Sequence, residues 1–503
     1  MQNSKKIILI LVVLLIAGFF IRLYLTQIMP ITSDEGSYLY DGFLISKGNL
    51  PFKDFFTRSP LFISEAAIFI KILGQKIGAG RLLSILSALL TGVIIYFIGV
   101  KLGNKKIGIM ASAFYLVFPS AVFQTIYLHT QPSEILFLSL AILMLLTALE
   151  KENRLALGGS GAILALSFFV RRSALLFAVA IIIYLFLQKT NLKKRIENTS
   201  FFAAGFLIIF LVGVFILIAI SDFQKIWLAI GPGLIFSLQK GASSIGTFSS
   251  EALVNKITGL NNVLREGLLL TFLLLVFLFF LVFKKSGLPK LRSRGYLFLG
   301  LLLIFPAIGY FLYSSFDPNY FAEFLLPLVL MDAAAAIIIY EKKKKVLMPL
   351  LIIAALMIIF SYHQGATSPH TGQYSWTAVL KAANYIKEKN SKDDEVLTSA
   401  LAIPFIANRG VPLNISHPTI YRYGRISDDD RNALVPSLSE LQNYMEENKA
   451  KFVIIDQNFK NTFFKFHEVF EAYVRANYEQ KKVIKPEENI PKLLTLEIWE
   501  RKQ

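Results

Sequence analysis

Two adjacent carboxylates follow the first long apolar run of the chain, in the segment Thr32-Ser33-Asp34-Glu35. A carboxylate can serve as the general base that takes the proton of an attacking hydroxyl group. In a helix, Tyr38 would lie one turn after Asp34 on the same face. The structural alternative is a capping box, in which Thr32 begins a helix and the Glu35 side chain reaches back to it. These residues by themselves leave both interpretations open.

Basic side chains that could bind an anion come next, in Pro51-Phe52-Lys53-Asp54-Phe55-Phe56-Thr57-Arg58-Ser59-Pro60. A guanidinium group is planar and matches the oxygens of a phosphate, so we interpret Arg58 as a phosphate ligand, with Lys53 as a second candidate. The alternative for both cations is an interfacial position, from which the charged ends reach water at the membrane surface.

The pair Arg171-Arg172 interrupts an apolar stretch at a predicted turn. Arginines at membrane depth are costly unless an anion pairs with them. That anion is a lipid headgroup in the simpler interpretation and a bound lipid phosphate in the more specific one.

Further polar residues stand at the starts of later apolar runs. Glu134 enters one directly after a proline, in Gln131-Pro132-Ser133-Glu134, and Glu323 follows Tyr320 near another turn. The structural alternative for Glu134 is that its carboxylate complements the dipole at a helix start. His129 precedes this segment, and a lone histidine is more often structural than catalytic.

The composition restricts the class of protein. Hydrophobic residues make up 55% of the 503 residues, charged residues 17%, and there is no cysteine. Soluble domains carry about 25% charged residues, so the composition argues against a soluble enzyme. The lack of cysteine excludes disulfides, thiol catalysis and Cys-ligated zinc or iron–sulfur centres.

Apolar runs predict a polytopic membrane protein. A spanning helix needs about 20 mostly apolar residues. We predict about eleven spans, near residues 7–26, 82–101, 107–126, 132–149, 156–170, 174–187, 201–220, 266–283, 296–313, 320–340 and 346–362.

The net charge of +18 is concentrated in this apolar part of the chain. Lys and Arg gather in short connections on one side of the predicted spans, which is the pattern of cytoplasmic loops. We therefore expect a cell-membrane protein with a cytoplasmic N-terminus and an extracytoplasmic C-terminal domain. Because no basic, aromatic-interleaved patch is left over, nucleic acid is excluded as a partner.

Two domains are expected, and the fold class is mainly α. Residues 1–362 form the helix bundle, and its first outer loop, 27–81, contains amphipathic helices lying at the membrane surface. Residues 363–503 form a soluble α/β domain, since short apolar strands alternate there with amphipathic helices. The expected elements are helices over Trp376–Lys389, Leu438–Glu447 and Phe463–Tyr478 and strands over Glu395–Thr398 and Lys451–Ile455.

Over residues 1–362 the motifs resemble those of the GT-C superfamily of polytopic glycosyltransferases, near the protein O-mannosyltransferases and aminoarabinose–lipid A transferases. The chain departs from the family where relatives often have Lys-Pro-Pro in place of Arg58-Ser59-Pro60. It also lacks the WWD signature of oligosaccharyltransferase subunits, which argues against transfer of a whole glycan to asparagine. The matching segments are Ser33-Asp34-Glu35 with Tyr38, Gly48 to Phe55 leading to Arg58-Ser59-Pro60, Gln131 to Glu134, and Tyr320 to Pro327.

The resemblance implies an inverting transfer of a sugar from a polyprenyl- or dolichyl-phosphate donor to a hydroxyl of a lipid, glycan or protein acceptor outside the cytoplasm. It implies that Asp34 is the general base, with Glu35 as a second catalytic residue. It also implies that Glu35 and Glu134 position the substrate or a divalent cation, with Asp34 and Glu134 as the candidate metal ligands. The implied donor-phosphate ligands are Arg58, Arg171, Arg172 and Lys53, and the implied substrate-positioning residues are Tyr38, His129, Glu134, Tyr320 and Glu323.

The main alternatives are a lipid or solute transporter or flippase, and a non-catalytic membrane scaffold. A transporter would show internal repeats and broken helices at matching positions, and the sequence has no such repeat. Convergence of Asp34, Arg58 and Glu134 on one site would favour the enzyme.

Overall fold

The computed structural model describes most of the chain. The described residues are 2–221, 223–230, 295–312, 318–342, 373–389, 394–418, 435–447, 450–465, 467–486 and 493–502, with a few single positions between 356 and 363 and at 421.

The described part of residues 1–342 is helical. Its elements are α1 (Gln2–Ile28), α2 (Ser33–Ser46), α3 (Pro60–Leu73), α4 (Ile77–Leu102), α5 (Lys105–Val117), α6 (Pro119–Phe123), α7 (Thr130–Lys151), α8 (Arg154–Val170), α9 (Ala174–Phe186), α10 (Leu192–Ile220), α11 (Phe223–Ile230), α12 (Gly295–Leu312), a 3-10 helix (Pro318–Phe324) and α13 (Leu325–Lys342).

Four helices of the described part are long and apolar enough to cross a membrane: Lys5–Ile28, Ile77–Leu102, Thr130–Lys151 and Leu192–Ile220. The most apolar windows of the first and last are only 11% and 6% buried within the protein, as expected for lipid-facing helices. The predicted span 266–283 lies outside the described residues, as does most of 346–362. The count of about eleven spans therefore stays a prediction.

The predicted span 107–126 is wrong, because the helix breaks before Pro119. Phe118 has φ −70° and ψ 138°, an extended conformation between α5 and α6. Proline has no N–H for a helical hydrogen bond and disfavours helical geometry in the residue before it. The chain leaves α6 as a buried loop, and this loop carries Tyr127 and His129 into the site described below.

Glycines allow α8 and α10 to touch backbone to backbone. A Cβ atom built on Gly205 would lie 1.9 Å from the carbonyl oxygen of Gly158, and one on Gly161 would lie 2.0 Å from that of Phe202. Small residues at a crossing let membrane helices approach closely and gain packing energy.

Gly205→Ala should destabilise the bundle, because the added methyl group has no space against the Gly158 backbone. Overpacking of this kind costs about 1–3 kcal/mol, which thermal unfolding in detergent would detect as a lower midpoint. Gly300→Ala in α12 is the matched control, since a Cβ there meets nothing within 4 Å. Equal midpoints for the two variants would contradict the close crossing.

The first loop contains two helices, as predicted, but α2 is enclosed rather than laid on a membrane surface. α2 packs on α3 and on a short helix of the C-terminal region, and a Cβ on Gly36 would lie 3.0 Å from the backbone nitrogen of Ala402. The turn predicted around Gly48 is present, with φ +96° at that glycine. α2 is therefore held between α3 and the C-terminal region.

Residues 373–502 form the C-terminal α/β region, built around a four-stranded sheet of order β1-β2-β4-β3. The β1–β2 pair is parallel, and the other two pairs are antiparallel. The elements are α14 (Trp376–Lys389), β1 (Val396–Thr398), α15 (Ala402–Ala407), a 3-10 helix (Pro412–Asn414), α16 (Leu438–Glu447), β2 (Phe452–Ile455), α17 (Gln457–Phe459), a π turn (Lys460–Phe464), α18 (Glu468–Asn477), β3 (Tyr478–Ile484) and β4 (Leu496–Arg501).

The predicted helix Phe463–Tyr478 is wrong at both ends. Phe463 belongs to a π turn, α18 begins at Glu468, and Tyr478 is already the first residue of β3. β3 and β4 were not predicted. Charged and polar residues, Glu479 to Lys482, fill the middle of β3 because it is a mostly exposed edge strand, with only its two end residues buried.

Direct contacts join the C-terminal region to the first loop. Ile31 and Tyr374 exchange backbone hydrogen bonds of 2.9 and 2.8 Å. The backbone N–H of Val411 donates to the Tyr40 hydroxyl at 2.8 Å. The C-terminal region thus packs directly on the helix that carries the candidate carboxylates.

Candidate active site

The N-terminus of α2 is capped as the structural interpretation predicts, but only in part. Thr32 Oγ1 accepts from the backbone N–H of Glu35 at 3.0 Å, and the Glu35 side chain turns away from Thr32. His129 Nε2 lies 3.0 Å from Thr32 Oγ1, and His129 is 3% exposed and stacked on Tyr127. His129 therefore holds the start of α2 in place.

Glu35 forms a fully buried ion pair with Arg81 of α4. Arg81 Nε donates to Glu35 Oε1 and Nη2 donates to Oε2, both at 2.8 Å. The backbone N–H of Leu128 also donates to Oε1 at 3.1 Å. Glu35 is 0% exposed, so these contacts support a structural anchor and not the catalytic or cation-positioning role that the resemblance implied.

Arg81 uses its remaining N–H groups on the C-terminal end of α1. Nη1 donates to the carbonyl oxygens of Thr26 (2.6 Å) and Met29 (3.2 Å), and Nη2 to that of Pro30 (3.0 Å). The last carbonyls of a helix lack intrahelical partners and carry its negative dipole end. Arg81 thus caps α1 while it holds Glu35.

Aromatic rings cover this guanidinium group. The rings of Tyr127 and Trp376 have centroids 5.4 and 5.3 Å from Arg81 Cζ. Such cation–π contacts are strongest where water is excluded, and Arg81 is 1% exposed. Since Trp376 begins α14, the pair also fixes the C-terminal region.

One face of α2 carries Asp34, Tyr38 and Asp41, because residues at spacings of four and three share a helix face. Asp34 is exposed, whereas Asp41 is 0% exposed. Burial raises the pKa of the Tyr38 hydroxyl, and the carboxylates of Asp34 and Asp41 raise this pKa further. Arg171 and Arg58 act on the same hydroxyl in the opposite direction. These four charged groups therefore all lie near enough to Tyr38 to act on the pKa of its hydroxyl group.

Arg171 ends α8 between two buried carboxylates, those of Glu134 and Glu323. Its Nε lies 2.8 Å from Glu323 Oε1 and 3.4 Å from Glu134 Oε2. Ser173 Oγ donates to Glu134 Oε1 at 2.6 Å, and Arg171 Nη1 donates to Thr130 Oγ1 at 3.2 Å. Residues from three separate helical segments thus fix the direction of this guanidinium group.

The other candidate residues differ in position. Arg58 is half-buried immediately before α3 and reaches Tyr38 electrostatically. Arg172 is half-buried next to Arg171. Lys53 is exposed in a turn, where its carbonyl oxygen accepts from Lys225 Nζ at 3.4 Å, and no described contact joins it to this cluster. The side chain of Tyr320 lies outside the described residues.

Asp41 and His417 were not predicted from the sequence as site residues. Asp41 Oδ2 accepts from Thr57 Oγ1 at 3.0 Å and lies 3.0 Å from His417 Nε2. The pair joins α2 to the C-terminal region over a large separation in sequence. Arg81 was also missed, although an arginine at the start of an apolar run is a signal for a buried partner.

A divalent cation finds no ready set of ligands in the described part of the chain. No group of three or more His, Asp or Glu side chains there is placed to hold a metal ion. Glu134 has Arg171 and Ser173 as neighbours, and no described contact joins it to Asp34, the other candidate ligand. We derive no chemical step through a metal.

The chain is similar to a known protein family over part of its length and to several solved structures. Residues 57–218 match the family model for dolichyl-phosphate-mannose-protein mannosyltransferase. A comparison with curated protein sequences gives no match. Among solved structures, the chain is similar to ArnT from Cupriavidus metallidurans bound to undecaprenyl phosphate, with a TM-score of 0.66 and 11% identity over 98% of this chain and 97% of that chain.

The chain is also similar to the oligosaccharyltransferase of Archaeoglobus fulgidus. The form tethered with an acceptor peptide containing the NVT sequon gives a TM-score of 0.58 and 12% identity, covering 95% of this chain and 73% of that chain. AglB of the same organism, in complex with an inhibitory peptide and a dolichol-phosphate, gives 0.56 and 12%, covering 89% and 69%.

The chain therefore has the same fold as these solved structures, which is the fold that the resemblance implied. Its apolar helices and this fold make it a multi-pass membrane protein.

Glu35→Gln and Asp34→Asn should differ sharply in stability, although the residues are neighbours. The first change leaves Arg81 as an uncompensated buried charge, which costs about 3–5 kcal/mol. The second alters an exposed side chain and should stay within about 0.5 kcal/mol. Thermal unfolding in detergent checks both, and a Glu35→Gln protein as stable as the wild type would refute the anchoring role.

Proposed function

We propose that the protein is an inverting glycosyltransferase that moves a sugar from a polyprenyl- or dolichyl-phosphate carrier to an acceptor hydroxyl group. The observation that carries this proposal is that an exposed carboxylate, Asp34, and two cations, Arg58 and Arg171, all lie near enough to Tyr38 for their charges to act on the pKa of its hydroxyl group. Displacement of a phosphate from an anomeric carbon needs a base for the incoming hydroxyl and cations for the departing phosphate. The family match and the bound lipid phosphates of the similar proteins support this choice of donor.

Asp34 acts as the general base. It is the only exposed carboxylate of the α2 face, since Asp41 is buried on the same side and Glu35 is held by Arg81. One carboxylate is sufficient, because phosphate is a good leaving group that needs no acid to protonate it. Tyr38 lies one helical turn after this base, the charges of Arg58 and Arg171 also act on its hydroxyl group, and it orients the substrate.

Arg58, Arg171 and Arg172 bind the donor phosphate. Arg171 also contacts two buried carboxylates, those of Glu134 and Glu323. These carboxylates set the direction of its guanidinium group, which is a positioning role. Lys53 takes no part in this arrangement among the described contacts.

Turnover of a panel of polyprenyl-phosphate sugars by the purified protein, scored as release of polyprenyl phosphate, tests the proposal. Release from at least one donor is expected. A protein that neither binds nor cleaves any member of the panel would overturn it.

Asp34→Asn should reduce transfer by about 10²–10⁴-fold, because the amide keeps the shape of the side chain but cannot accept a proton. Donor affinity should stay close to that of the wild type. Arg58→Ala is the companion variant, in which donor affinity should fall because a phosphate contact is removed. Near-normal transfer by Asp34→Asn would remove this residue from the mechanism.

We propose that the N-terminus is cytoplasmic and that the site and the C-terminal region lie outside, where lipid-linked sugars and acceptors meet. The basic residues of the short connections support this orientation. Alkaline phosphatase fused after Gln503 should be active, whereas the same enzyme fused after Lys189, in a predicted cytoplasmic connection, should be inactive. The reverse pattern would contradict the proposed sidedness.

A further inference from the structure

A histidine of the C-terminal region lies against the face of α2 that carries the proposed base. His417 Nε2 is 3.0 Å from Asp41 Oδ2, and the His417 ring contacts Tyr38 edge-on at a centroid distance of 6.4 Å. Phe56 packs against the same ring at 6.0 Å. His417 is 8% exposed, so its orientation is set by these neighbours.

Asp41 determines which ring nitrogen carries the proton. When the Asp41 carboxylate is ionised it only accepts hydrogen bonds, and Nε2 of His417 is then the donor. In the neutral ring this leaves Nδ1 as an acceptor with a lone pair. The second oxygen of the carboxylate, Asp41 Oδ1, is buried and has no hydrogen-bond partner among the described residues.

His417 and Arg171 enter the site from different parts of the protein. Arg171 lies at the C-terminal end of α8, between carboxylates that belong to the bundle. His417 instead approaches α2 from the C-terminal region, next to Tyr38, which also interacts with Asp34. In the proposed function the donor phosphate contacts Arg171 on the bundle side, so the side facing the C-terminal region is left for the acceptor.

We propose that His417 positions the acceptor, with Nδ1 accepting a hydrogen bond from a hydroxyl group of the acceptor molecule while Asp41 holds the ring. The inference rests on the proposed function and assigns the C-terminal region a part in acceptor binding. His417 is a positioning residue, and proton removal stays with Asp34.

Docking of the C-terminal region does not depend on this pair alone. Ser416, the preceding residue, donates through Oγ to the Phe56 carbonyl oxygen at 3.0 Å. The Val411–Tyr40 hydrogen bond and the Ile31–Tyr374 pairing join the same surfaces. Ser416→Ala is therefore a matched control that removes a docking contact and leaves the imidazole in place.

The test uses His417→Gln in the full-length protein. The Gln amide N–H can still donate to Asp41, but the side chain has no second ring nitrogen. The readout is competition between water and an added hydroxyl acceptor, such as a methyl glycoside or an N-acetylserine amide, for the sugar of the best polyprenyl-phosphate donor. Hydrolysis needs no bound acceptor, so its rate depends on the general base and the phosphate ligands and not on acceptor binding.

His417→Gln should lower the ratio of transfer to hydrolysis by about threefold to tenfold, the loss expected for one hydrogen bond to a neutral partner. Hydrolysis and donor KM should stay close to the wild-type values, and Ser416→Ala should keep the wild-type ratio of transfer to hydrolysis. An unchanged ratio in His417→Gln, or an equal fall in Ser416→Ala, would overturn the inference while the proposed function stands. Absence of any donor turnover by the wild type would instead overturn the proposed function, and the inference with it.

Discussion

The buried ion pair between Arg81 and Glu35 is the contact on which the site depends. It joins the end of α1, the start of α2, α4 and the loop before α7, and through Trp376 it reaches the C-terminal region. Removing two charges from water is costly unless every donor and acceptor finds a partner. Here all the N–H groups of Arg81 are used, and both oxygens of Glu35 accept. Such a pair therefore fixes the relative positions of these segments more than it adds to the free energy of unfolding.

The neighbouring carboxylates of Asp34 and Glu35 have different surroundings because a helix turns by about 100° per residue. Glu35 points into the junction of the helices and is held there. Asp34 points to the exposed side, where Tyr38 and the arginines lie. A structural role for Glu35 and the proposed chemical role for Asp34 are therefore compatible, although Glu35 pairs with Arg81 and does not complete the capping box.

Local patterns predicted much of this architecture. The cap at Thr32, the helix Leu438–Glu447 and the parallel strands of the C-terminal region follow from residue type and periodicity over short windows. Hydropathy also located most of the described membrane helices. It failed at 107–126, where apolar character continues through Pro119 although the backbone breaks there.

The sequence could not reveal contacts between distant segments. Arg81 reads as one cation at the start of an apolar run, and Asp41 as one polar residue within a helix. Their partners, Glu35 and His417, lie 46 and 376 positions away. Only the folded chain brings these groups together, so neither the Arg81–Glu35 pair nor the Asp41–His417 contact can be predicted from short windows of sequence.

The configuration of the first-formed product tests the central claim most directly. A single displacement with one base, Asp34, inverts the anomeric carbon, whereas retention requires a second carboxylate that attacks the sugar. Proton NMR of the product, recorded early in the reaction with a polyprenyl-phosphate donor of known anomeric configuration, distinguishes these outcomes. The account predicts the inverted anomer, and a product that retains the configuration of the donor would contradict it.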